Sequence, residues 1–127
     1  MLFTLAGTQL SLGQMANTNM GVFQFEEEVI DYGTIQQNSN GVRYFEFKNR
    51  GRAPIVISKV NSSCGCTVPK FTREPIAPGE SGIIEVKYST KKLGQFSKSI
   101  TVISNADEPQ KILKIKGKVI AKSSSMR

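Results

Sequence analysis

From Gly21 onward apolar and polar residues alternate with a period of two, and no stretch sustains the period of an amphipathic helix. Val22-Phe23-Gln24-Phe25 and Val29-Ile30-Asp31-Tyr32-Gly33 read as a broken first strand. Arg43-Tyr44-Phe45-Glu46-Phe47-Lys48 alternates cleanly, sending Phe45 and Phe47 to one face and Tyr44, Glu46 and Lys48 to the other. Ile55–Val60 is the next strand, and it runs into Asn61-Ser62-Ser63-Cys64-Gly65-Cys66. Beyond Pro69 the pattern lapses into an irregular crossing through Glu74-Pro75. Ile83–Tyr88 then turns Ile84, Val86 and Tyr88 to its apolar face, and Phe96–Ser104 places Phe96, Ile100 and Val102 on a face shared with Lys98. The last strand, 110–121, directs Leu113, Ile115 and Val119 inward and Lys114, Lys116 and Lys118 outward, a row of the kind that keeps edge strands from pairing.

Turn signals separate these runs. Residues 36–41 are rich in amides, Ser and Gly, and 49–54, 91–94 and 105–109 carry Gly, Pro or Asn. Ala77-Pro78-Gly79-Glu80 has Pro and Gly at the two central positions that a type II turn requires. Short strands with turn signals roughly every ten residues predict an all-β, two-sheet sandwich of about seven antiparallel strands. Phe45, Phe47, Ile57, Ile84, Val86, Ile100, Val102, Leu113 and Ile115 are its expected common core. A chain of 127 residues is one domain, large enough to bury a core without staples. The sandwich is assigned to residues 21–121, with 122–127 a polar tail expected to be disordered.

Residues 1–20 stand apart. Met1–Gln14 is weakly apolar and uncharged, and too short to cross a bilayer, which takes about 20 apolar residues. It resembles the back half of a secretory signal, with small residues at Ser11 and Gly13, though the positively charged front is missing. The expectation is a truncated or atypical signal over residues 1–13 followed by a linker, hence an exported protein. The alternative is a loose amino-terminal tail on a cytoplasmic one. No other segment is long and apolar enough to span a membrane.

Composition narrows the chemistry. The chain has no His and no Trp and only two cysteines. It therefore builds no Ser-His-Asp triad, no Cys-His pair and no His-ligated zinc site by itself. The net charge of +7 is uneven: residues 1–40 carry −4, residues 41–86 carry +3, and residues 87–127 carry +8. A basic end of this kind attracts acidic partners, and it also serves to keep strand surfaces solvated. Base stacking would want aromatics interleaved with the charge, and there Tyr88 and Phe96 both lie on apolar faces, so no nucleic-acid partner is expected.

The chemically distinctive spot is Cys64-Gly65-Cys66. In a straight strand residues i and i+2 have Cα atoms about 6.6 Å apart, whereas a disulfide wants Cβ atoms about 3.8 Å apart. Gly65 opens a way round this, because it adopts positive φ without a Cβ penalty. Three states are open to Cys64 and Cys66: a tight bridge across a turn, two thiols, or two soft ligands for a metal such as Cu(I). Two small buried side chains are the plain alternative. Lys59 and Lys70 are the cations nearest in sequence that would activate a thiol if the fold brought them close.

The succession Phe45-x-Phe47-x-Asn49-x-Gly51-x-x-Pro54, Ser63-Cys64-Gly65-Cys66-Thr67, Pro78-Gly79-Glu80, Gly94-x-Phe96 and Ser104-Asn105 resembles a bacterial family of exported immunoglobulin-like domains, domain-of-unknown-function family 1573. The resemblance covers roughly residues 22–121, and Ser-Cys-Gly-Cys-Thr is its most specific element. It implies a seven-stranded immunoglobulin-like sandwich, similar to major-sperm-protein and Hydin-type modules, located outside the cytoplasm. It brings no activity or cofactor with it. The expected function is a non-enzymatic, monomeric binding or structural module of the cell envelope, facing a protein or a glycan. The alternative is a thiol-redox or soft-metal site at Cys64 and Cys66, where a bridge strained by so short a loop would be readily reduced.

Overall fold

The computed structural model describes residues 19–122. The expected signal remnant and most of the expected tail lie outside these residues. Eight strands follow one another: β1 (Phe23–Phe25), β2 (Val29–Gln36), β3 (Val42–Asn49), β4 (Ile57–Ser62), β5 (Cys66–Phe71), β6 (Ser81–Tyr88), β7 (Gly94–Ser104) and β8 (Gln110–Ile120). No α-helix occurs among the described residues. They form two four-stranded sheets, ordered β1-β3-β6-β5 and β2-β8-β7-β4. This is an immunoglobulin-like β-sandwich.

All nine expected core residues lie inside it, none more than 4% exposed. They come from both sheets: Phe45, Phe47, Ile84 and Val86 from β3 and β6, the rest from β4, β7 and β8. Ile55 and Ile76 join them through an isolated bridge between the sheet-crossing segments. Burying such side chains supplies about 1.5–3 kcal/mol each, enough to fix which face of every strand turns inward. The turn at Pro78-Gly79 forms as expected, with φ of +86° at Gly79 and the Glu80 N–H bonded to the Ala77 carbonyl at 2.9 Å.

Four details differ from the sequence reading. The broken first strand is two strands in different sheets: β1 pairs with β3, while β2 pairs with β8. The exposed run Glu26-Glu27-Glu28 cannot enter the core, and there the chain leaves one sheet for the other. The β2–β8 pairing is parallel, so the sandwich has eight strands and is not wholly antiparallel. The strand β5 runs on past Pro69, so Lys70 and Phe71, expected to open the irregular crossing, belong to it. Pro69 is tolerated because β5 is an edge strand and its register slips between Thr67 and Lys70. Finally β8, the lysine-bearing strand, lies inside its sheet between β2 and β7 and guards no edge.

Candidate functional site

Strand β4 ends one sheet and β5 begins the edge of the other, so the chain crosses between sheets at Ser63-Cys64-Gly65. Gly65 takes φ of +89°, the left-handed turn that its lack of a Cβ permits. The Cys66 N–H closes the turn on the Ser63 carbonyl at 3.2 Å. Each side of the turn is pinned to a different sheet. The Ser63 N–H donates to the Ser99 carbonyl at 3.1 Å, and the Ser63 hydroxyl accepts from the Ser99 N–H at 3.0 Å. On the other side the Gly65 carbonyl accepts from the Ser89 N–H at 2.9 Å, and the Ser62 hydroxyl donates to the Cys66 carbonyl at 3.1 Å.

The two cysteines consequently meet different surroundings. Both are free thiols, Cys64 exposed at the tip and Cys66 buried as the first residue of β5. Cys66 pairs with Tyr88 across the β5–β6 ladder, which sets both side chains on the inner face. Tyr88 stacks on Phe96 with ring centroids 3.8 Å apart, and Tyr32 meets Phe96 edge-on at 5.3 Å. The Arg43 guanidinium lies 4.1 Å from the Tyr32 ring centre, and the Tyr32 hydroxyl donates to the Gly41 carbonyl at 2.7 Å. An open groove of about 540 Å³ runs alongside, between Gly41, Gly65, Thr67, Tyr88 and Thr90.

The electrostatics follow from burial. Desolvation pushes the Cys66 thiol above its ordinary pKa, and the Lys98 ammonium pulls against it without winning. Desolvation likewise carries Tyr32 up to about 12, although Arg43 opposes it. Tyr88 is raised as well, first by burial and then by Cys66. Cys66 is therefore held as a neutral thiol, and Cys64 is the sulfur that solvent reaches. The thiolate is the nucleophile and the metal ligand, so any chemistry here starts at Cys64.

Neither lysine singled out from the sequence accompanies Cys66. Lys59 is exposed on β4, opposite Ile103, and Lys70 faces Glu85 across the β5–β6 ladder. The cation that does reach Cys66 is Lys98 of β7, whose side chain also passes close to Gly65. Its signal was parity: a lysine on the same face as Phe96, Ile100 and Val102 has to point between the sheets. Among the described residues no group of three or more Cys, Asp or Glu gathers as a metal site. The two thiols are the soft donors at the turn, and they face different surroundings, Cys64 solvent and Cys66 the inner face of β5.

Solved structures of the same shape are distant in sequence. A protein of unknown function from Porphyromonas gingivalis W83 is 19% identical, with a TM-score of 0.69 over 81% of this chain and 49% of that one. The PapD-like domain 7 of human CEP192 is 10% identical, with a TM-score of 0.60 over 84% of this chain and 89% of that one. The VesB protease of Vibrio cholerae is 15% identical, with a TM-score of 0.59 over 87% of this chain and 34% of that one. The chain thus spans about half the length of the first of these and a third of the last. At such identities the likeness shows the fold alone. No curated protein sequence matches the chain. The profile of the family described as protein of unknown function DUF1573 matches residues 23–119, nearly the whole sandwich, and the chain belongs to that family.

Proposed function

We propose that this chain is a non-enzymatic, monomeric binding or structural module of the bacterial cell envelope. The observation that carries this reading is how the molecule uses its residues. Eight strands close on one core, and what remains exposed is broad sheet face, edge strand and turn. Such surfaces suit recognition of an extended partner. The export-like opening segment and the resemblance to exported domains support the envelope location. The secreted serine protease VesC of Vibrio cholerae contains a region of this shape (TM-score 0.61), which is compatible with life outside the cytoplasm. Among the described residues no helix is long and apolar enough to cross a membrane. Fractionation of cells expressing the protein from its natural gene tests the reading. Recovery with the periplasmic, envelope or extracellular fraction is expected, and residence in the cytoplasm would overturn it.

A second reading rests on the turn itself, where an exposed Cys64 and a buried Cys66 flank Gly65 at positive φ beside Lys98. The Cys64 thiolate would attack a partner's disulfide, releasing one partner thiolate and forming a mixed disulfide. Cys66, giving its proton to the thiolate released first, would then displace the second partner thiolate, leaving a Cys64–Cys66 bridge and a partner reduced by two electrons. Cys66 must leave its place against Tyr88 for that step. Intact mass with thiol counting decides: a two-proton mass loss that mild reductant reverses supports this reading, and two thiols stable to oxidised glutathione would sink it.

A further inference from the structure

Lys114, Lys116 and Lys118 stand exposed on the outer face of β8, with Cα atoms about 6.8 Å apart along the strand. Because β8 is an inner strand, edge protection does not explain them. Their ladder partners are Val29, Asp31 and Thr34 on β2, and Ser99, Ser97 and Gln95 on β7. Only one of the six is acidic, Asp31, and one of its carboxylate oxygens accepts the Gly33 N–H at 2.8 Å. Among the described residues the only ion pairs are those of Lys111 with Glu28 and Glu108, so none of the three lysines has a carboxylate within 4.0 Å. Three like charges in a row repel one another, and the single Asp31 carboxylate opposite Lys116 offsets only part of that repulsion.

The outer face of the other sheet is built differently. There Lys70 faces Glu85, Lys48 faces Ser81, and Glu46 faces Ile83, so both signs are interspersed. A net positive excess, three lysines against one carboxylate, is thus a property of the β8 face and not of the whole surface. Beside the lysines runs a lane of neutral hydrogen-bonding side chains, with Gln95 and Ser97 exposed on β7. Between the lanes lies an open trough of about 560 Å³, bordered by Asp31, Thr34, Gln95, Ser97, Lys116 and Lys118. The aromatic residues of these strands, Tyr32 and Phe96, point inward, so bases have nothing to stack on. The exposed aliphatic residues Val29, Ile112 and Ile120 are set at the two ends of the row and form no single patch to enter a bilayer.

We propose that this face binds a linear acidic glycan laid along β8 and β7. Its carboxylates meet Lys114, Lys116 and Lys118, and its hydroxyls meet Gln95, Ser97 and the acceptor oxygens of Asp31. The inference rests on the binding-module reading and names the class of partner.

The test titrates the full chain by calorimetry with oligogalacturonate of defined length at several salt concentrations, with a neutral malto-oligosaccharide alongside. Binding of the acidic chain only, weakening with salt, is expected. The variant Lys114→Gln/Lys116→Gln/Lys118→Gln should lose about tenfold in affinity and much of the salt dependence. The variant Lys48→Gln/Lys70→Gln/Lys87→Gln has the same net charge and should stay within about twofold of the parent. Gln95→Ala/Ser97→Ala should weaken the glycan about threefold and leave binding of inorganic polyphosphate unchanged. Equal losses in the two triple variants, or no binding, would overturn the proposal. So would tighter binding of phosphatidylglycerol vesicles or single-stranded DNA. Failure to bind by a protein that fractionates with the envelope defeats this inference alone, whereas cytoplasmic residence defeats the reading beneath it.

Discussion

The two ends of β4 make the same manoeuvre, a crossing between sheets, with opposite chemistry. At one end the crossing from β3 to β4 is organised by Asn49, which is wholly buried. Its side-chain oxygen accepts the N–H groups of Val22 and Gly51 at 3.2 and 2.8 Å. Its amide donates to the carbonyls of Ala53 and Ile76 at 2.9 and 2.8 Å. All four hydrogen bonds available to an asparagine are used on main chain, so nothing is left over for a ligand. At the other end the crossing from β4 to β5 leaves a thiol in solvent, a glycine at positive φ, and a half-buried Lys98 with no carboxylate within reach among the described residues. A saturated crossing is a structural device. An unsaturated one keeps polar capacity in hand, and that is where chemistry with a partner becomes possible.

The largest expected effect lies at the saturated end. Asn49→Ala leaves the Val22 and Gly51 N–H groups and the Ala53 carbonyl unpaired, while the Ile76 carbonyl keeps the Ile55 N–H, and should cost about 4 kcal/mol in urea unfolding. A loss below about 2 kcal/mol would break the contrast between the ends.

Next comes alkaline stability at the cysteine end. Tyr32 holds its proton to about 12 when folded, against 10.0 ordinarily. Between those values the unfolded chain has lost the proton and the folded one has kept it. The contribution is therefore complete below about pH 10 and disappears as pH rises through about 12. Over that window the parent should lose roughly 2 kcal/mol more than Tyr32→Phe, as read by unfolding at a series of pH values. Parallel curves would show that burial does not control this hydroxyl.

Gly65→Ala is expected to cost about 1–2 kcal/mol, since alanine resists the left-handed conformation. Its Cβ would also stand 3.4 Å from the Tyr88 ring, tight but not forbidding. Thermal denaturation measures this, and an unchanged melting point would mean that the turn is not held as described.

The smallest effects separate the cysteines from each other. Cys66→Ser puts a hydroxyl against Tyr88 and should cost about 1 kcal/mol or somewhat more, whereas Cys64→Ser should stay within about 0.5 kcal/mol. A thiol reagent should modify Cys64 at once and Cys66 only as the protein opens. Equal labelling rates would erase the distinction between an outer and an inner sulfur.

Much of this architecture was legible beforehand. Phe45 and Phe47, Ile84 and Val86, and Ile100 and Val102 announced their inward faces by alternation alone, and Pro78-Gly79 announced its turn. The split of the first strand was half visible in the interruption at Glu26–Glu28, but its consequence was not. The pattern lapses beyond Pro69, yet β5 continues to Phe71, because an edge strand tolerates a proline that gives no ladder hydrogen bond. At the cysteine stretch Gly65 turns at positive φ between two free thiols, and the cation beside Cys66 was missed, because sequence proximity favoured Lys59 and Lys70 while Lys98 arrives from the opposite sheet.

By itself the sequence determined where most of the strands run and which side of each is apolar. That follows from the backbone, since successive side chains of an extended chain point to opposite faces whatever lies beside it. Only the tertiary structure decided which strand neighbours which, that β2 runs parallel to β8, that the lysine row sits mid-sheet, and that Lys98 meets Cys66. A strand's hydrogen-bond partners and the wall facing its inner side come from distant segments, and the same alternation satisfies an edge position and a central one equally well.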